Sequence, residues 1–139
     1  IMDKLLSFLK NIPEYQLLLK SVARKETAAV TGLGQINRSH LVAGLRREFD
    51  RPIVVICQDD MTAKRIGEDL ACFLGKEIPI LCSRELTLYD TAVVSRAWEQ
   101  KRLRQLFDLA NGTTKLQIMS WVASFTVGSH SFRCAGEAT

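Results

Sequence analysis

A chain of 139 residues, 47% apolar and 24% charged, has the composition of an ordinary globular protein and the length of one domain, or of one domain and part of the next. Its 19 basic and 15 acidic side chains leave a formal charge of +4, too small an excess to argue for a dedicated nucleic-acid-binding domain. No apolar run reaches the ~20 residues of a membrane span, and the first residues lack the layout of a signal peptide, so a cytoplasmic location is expected.

Residues 2–10 and 13–24 read as short amphipathic helices. Asn11 ends the first, and Pro13 stands at the start of the second, where a missing N–H costs nothing. Leu5, Phe8 and Leu9, then Tyr15, Leu18 and Leu19, give helical spacing for a buried face. The chain begins with Ile1, and Met2 is the more natural start. Residues 27–31 are expected to be the first strand. After a glycine-containing turn comes a helix with Leu41, Val42, Leu45 and Phe49 as its apolar stripe and Arg38, Arg46, Arg47 and Glu48 on its wet face.

Residues 53–57 are continuously apolar and β-branched, as in a parallel strand covered on both faces. Residues 61–74 form a helix with Ile66, Leu70 and Phe73 inward and Gly75 as its terminator. Residues 78–82 are a third strand, 83–91 a loop, and 92–110 a long helix with Trp98, Leu103, Leu106, Phe107 and Ala110 near one side. Asn111-Gly112 stops that helix, and a fourth strand spans 115–121. Strands alternating with helices predict a doubly wound α/β fold with a parallel sheet. Residues 122–139 lack helical period and caps. A divergent tail is the preferred account and the start of a further segment the alternative. If the tail supplies no covering helix, Ile118 and Trp121 should face water.

The turn near residue 32 carries the most information. A working P-loop reads G-x-x-x-x-G-K-[ST]: its backbone N–H groups cradle phosphates, its Lys reaches them, and its hydroxyl holds Mg²⁺. The segment Ala29-Val30-Thr31-Gly32-Leu33-Gly34-Gln35-Ile36 has Ala for the first Gly, Gln for the Lys and Ile for the Ser/Thr. This degenerate P-loop is not expected to bind ATP. A rival phosphate register runs from Gly32 to Ser39, with Asn37 for Gly, Arg38 for Lys and Ser39 as the hydroxyl. Arg is a planar fork rather than a compact ammonium, so it replaces Lys poorly. A retained structural turn is the preferred reading, with weak phosphate binding second.

Other candidates are weaker. Asp59 and Asp60 come two positions too late for a metal-binding acid at the end of a strand, and helix capping suits them better. Arg96, Lys101, Arg102 and Arg104, with Trp98 among them, could contact phosphate or a partner, although a solvated helix face has the same pattern. Cys57, Cys72, Cys82 and Cys134 show neither C-x-x-C spacing nor a ligand pattern with His40 or His130, and reduced core thiols are expected. No catalytic set and no metal site can be assembled.

Three stretches together resemble the N-terminal end of the bacterial transcription-repair coupling factor (Mfd). They are Val30-Thr31-Gly32-Leu33-Gly34, the segment from Arg51-Pro52 to Leu74, and Glu85-Leu86-Thr87-Leu88-Tyr89-Asp90 ahead of Gln100-Lys101-Arg102-Leu103. The likeness covers about Met2 to Trp121. It implies a partial P-loop-NTPase-like (RecA/UvrB-like) parallel sheet with flanking helices and a degenerate nucleotide-binding loop. The implied divisions are an N-terminal helical segment at 1–26, the α/β domain at 27–114, and the start of a next domain or a divergent tail at 115–139. The family is an ATP-driven DNA translocase that displaces stalled RNA polymerase and recruits UvrA. The resemblance therefore implies a non-catalytic scaffold fragment without a cofactor of its own. ATP and Mg²⁺ would be used by motor domains elsewhere, UvrA and RNA polymerase would be partners of the full-length protein, and DNA would be met through the motor. The alternative is an autonomous P-loop NTPase or helicase lobe using the register at Gly32–Ser39.

Overall fold

In the computed structural model, residues 2–83, 92–121 and 123 are described. Helix α1 (Met2–Phe8) runs into a 3-10 turn (Leu9–Asn11), and α2 (Pro13–Ala23) follows with Pro13 in its first turn. An extended coil then leads to α3 (Gln35–Glu48), β1 (Ile53–Cys57), α4 (Asp60–Leu74) and β2 (Ile80–Leu81). The described chain closes with α5 (Ala92–Ala110) and β3 (Leu116–Ser120). The architecture is mixed α/β, with a three-stranded parallel sheet in the order β1-β3-β2 and helices around it.

β3 opens the segment 115–139 and is the central strand, pairing Ile53 with Leu116 through Cys57 with Ser120 on one side and Ile80 with Ile118 on the other. Every residue of β3 is buried. The expectation that Ile118 faces water is therefore corrected. Its side chain is fully buried among Leu70, Ile66 and Leu116 beneath α4. Trp121, one residue past the strand, is 62% exposed. The bare part of the sheet lies instead on β1, where Val54 and Ile56 are exposed while Cys57 is buried. Among the described residues β1 is an edge strand covered on one face, not on both as its apolar run suggested.

α4 is the best-specified helix. Asp59 caps it by accepting the Thr62 N–H at 2.6 Å, and Gly75 ends it in the left-handed region at φ 66°, where a side chain would be strained. Its inward face is Ala63, Ile66, Gly67 and Leu70. Gly67 allows very close approach to the sheet: a Cβ there would fall 2.5 Å from Ile80 Cδ1.

α3 presents small residues to the core. Ser39, Ala43 and Gly44 are its buried positions, whereas Leu41, Val42, Leu45 and Phe49, expected to form the stripe, are only half-buried. The reason is close packing against the 3-10 turn and α2: a Cβ on Gly44 would meet Leu9 Cδ1 at 2.6 Å and the Tyr15 hydroxyl at 2.8 Å. Arg46, assigned to the wet face, is half-buried and donates to the Phe49 carbonyl.

The expected strand at residues 27–31 does not form. The stretch is exposed coil after a turn in which Lys25 takes φ 61°. Its only large apolar side chain is Val30, still 47% exposed, so joining the sheet would bury little to offset the ordering cost. In α5, Leu106 packs on Leu81, Met119 and Ala123 as expected, but Leu103 and Phe107 point outward at 67% exposure each. The tail from 124 and the loop at 84–91, which holds Glu85, Tyr89 and Asp90, lie outside the described residues.

Candidate functional site

Gly32 turns the chain in the left-handed region at φ 78°, and Gly34 is the N-cap of α3 without a side-chain cap. The turn thus feeds a helix N-terminus, as in a phosphate loop. The chemistry around it is different. Ala29, Gln35 and Ile36 are exposed, Ile36 at 52%, and neither Gln35 nor Ile36 supplies a cation or hydroxyl. Arg38 folds back so that its Nε donates to the Leu33 carbonyl at 3.2 Å, bracing the turn from within. Ser39 is fully buried and donates its hydroxyl to Asp69 of α4 at 3.2 Å. The two polar members of the rival register are therefore engaged with protein, Ser39 on the α3–α4 contact.

Behind the turn lies a cavity of about 630 Å³ between α2, the coil and α3, lined by Leu9, Tyr15, Leu18, Val30, Leu33 and Leu41 among others. Burial, with the Glu48 carboxylate adding to it, pushes the Tyr15 phenol above its ordinary pKa, so it stays neutral. This mostly apolar lining suits an apolar group and holds no Lys or Arg for a triphosphate.

A polar cluster that the sequence reading did not assemble sits at the carboxyl ends of the strands, the usual ligand-facing edge of an open parallel sheet. Asp60 follows β1, Ser83 follows β2, and Ser120 ends β3. Asp60 accepts the Ser83 backbone N–H at 3.0 Å and the Ser83 hydroxyl at 2.7 Å. Burial alone would raise the Asp60 pKa; the bonds from Ser120 and Ser83, with Lys64 behind them, outweigh it and hold the carboxyl below its ordinary value. A carboxylate this well supplied with donors clasps three elements together and is occupied in doing so. The available signal was positional: a short polar residue stands at, or within three residues past, the carboxyl end of each parallel strand.

Nearby, burial and then the Asp60 charge raise the Cys82 thiol, partly offset by Lys64 and Lys101, while burial and Asp59 raise Cys57. Both stay protonated near neutrality and are poor nucleophiles. Cys72, expected in the core, is exposed on α4, and Cys134 lies outside the described residues. Among the described residues no three His, Cys, Asp or Glu side chains converge on a metal position, and no helix is long and apolar enough to cross a membrane.

The basic group on α5 divides. Arg102 is half-buried, lies 5.3 Å from the Trp98 ring centroid and donates to the Ala123 carbonyl at 3.5 Å. Burial lowers its pKa, with Glu99 opposing. Arg96, Lys101 and Arg104 are exposed.

No family model matches the chain, and no solved structure matches it. Over 89 residues, 59% of this chain, the sequence is 33% identical to the transcription-repair-coupling factor of Myxococcus xanthus. The matched stretch amounts to 7% of that relative's length, so the chain is similar in sequence to a small part of a transcription-repair-coupling factor.

Proposed function

We propose that the chain is a non-catalytic, UvrB-like scaffold of the kind found in the N-terminal region of a transcription-repair coupling factor, acting in DNA repair. In this reading residues 1–26 brace an α/β unit at 27–114, which is closed by β3 from the segment 115–139. UvrA, RNA polymerase and DNA are met by the larger assembly to which such a scaffold belongs. The observation that carries the reading is the turn at Gly32–Gly34. It retains the approach to a helix N-terminus, yet Gln35 and Ile36 stand where the Lys and hydroxyl are needed. Arg38 and Ser39, which a rival register would require, are held by Leu33 and Asp69. The likeness to a coupling factor supports the DNA-repair setting.

An assay of phosphate release from Mg-ATP, with and without duplex DNA, tests the proposal. The expected result is no turnover above a protein-free control. Turnover that disappears in Arg38→Ala would establish the autonomous NTPase instead.

A further inference from the structure

We propose that the outward stripe of α5 is a docking surface for an acidic amphipathic helix of a partner protein. The inference rests on the scaffold reading and names the face such a scaffold presents. At 3.6 residues per turn, Arg96, Gln100, Leu103, Arg104 and Phe107 fall within about a 100° arc, and all five are exposed. Leu103 forms one edge of that arc and Phe107 lies about 40° inside it, one turn along the helix, each 67% exposed. Single exposed apolar residues are normal on a protein surface. Here, however, α5 also carries Leu106 toward Leu81 and Met119. Leu103 and Phe107 lie about 60° and 100° around the axis from Leu106, so the contact with the sheet leaves them uncovered.

Charge selects the occupant. Neither Arg96 nor Arg104 has an ion pair or side-chain hydrogen bond among the described residues. The two acids of the helix, Glu99 and Asp108, fall outside the arc. Two guanidinium groups, neither of them ion-paired among the described residues, interleaved with two large apolar side chains match a helix with carboxylates beside an aliphatic stripe. A second copy of this chain would set arginine against arginine. A nucleic acid would satisfy the arginines and leave Leu103, which cannot stack on a base, in water.

The test is fluorescence anisotropy on the full chain with a labelled synthetic helix of glutamate and leucine, about 18 residues long so that it can hold helical form. Micromolar binding is expected, weakening with added salt. It should fall about tenfold or more in Arg96→Glu/Arg104→Glu and in Leu103→Ser/Phe107→Ser, with circular dichroism unchanged. Lys20→Glu/Arg24→Glu, at the end of α2, should leave it unaltered. The proposal is overturned by absent binding, by equal loss in the α2 variant, by equal binding of a lysine–leucine helix, or by tighter binding of oligo-dT. Absent peptide binding together with absent ATP turnover removes this surface and leaves the scaffold reading; ATP turnover removes that reading itself.

Discussion

The His40 ring stacks on the Phe73 ring, with centroids 5.2 Å apart and planes 17° from parallel. Its Nε2 donates to the Leu5 carbonyl at 2.9 Å, so one imidazole joins α1, α3 and α4. Phe73 is half-buried and packs against the main core. Phe73→Ala should cost about 2–3 kcal/mol, below the range for a fully buried Phe because part of the ring already meets water. Urea unfolding measures it. A change under about 1 kcal/mol would show that the stack holds nothing together.

Gly67 faces Ile80 so closely that an added methyl must displace the Ile80 Cδ1. Gly67→Ala gains helix propensity of about 1 kcal/mol but overpacks the α4–sheet contact, for a net loss of about 1–2 kcal/mol. Ile80→Val removes the obstructing Cδ1. The double variant should therefore be more stable than the sum of the two single changes, by a coupling of about 0.5–1 kcal/mol in a double-mutant cycle. Strict additivity would contradict the packing described.

Asp60 gives the chain a specific acid sensitivity. Its hydrogen bonds from Ser83 and Ser120 favour the ionised form, so its folded pKa lies below the unfolded one. The stability it contributes is complete above the ordinary carboxylate value of about 3.9 and is lost as pH falls through the lowered folded value. Asp60→Asn should cost about 2 kcal/mol at pH 7, and the gap to the unmodified chain should close as the pH drops below about 4. Thermal melts between pH 7 and pH 3 read this directly. A gap that stays constant across that range would mean the clasp is not ionic.

These elements differ in how openly the sequence announced them. α4 was legible because capping residue, period and stop signal agree: Asp59, then Ile66 and Leu70, then Gly75. β1 was legible as an apolar run and β3 as the strand after the Asn111-Gly112 stop, but neither signal tells an edge strand from a central one, and the face of β1 at Val54 and Ile56 is open. α3 misled because hydrophobic pattern points to its largest side chains. Its contact is set by Ser39, Ala43 and Gly44, where smallness permits approach. Residues 27–31 misled because a turn resembling a phosphate loop invites a strand before it. In α5 the period was right, but its assigned apolar face was too wide, since Leu103 and Phe107 lie about 60° and 100° around the axis from Leu106. The Asp60 clasp depends on which strand ends become neighbours, and that is known only once the order β1-β3-β2 is known.

Titration calorimetry with Mg-ATP tests whether the turn at Gly32–Gly34 keeps the shape of a phosphate loop without its chemistry. No heat of binding is expected in the micromolar range, because Gln35 and Ile36 offer neither the cation nor the metal ligand and Ser39 is buried against Asp69. A dissociation constant at or below about 10 μM, worth roughly −7 kcal/mol, would contradict it.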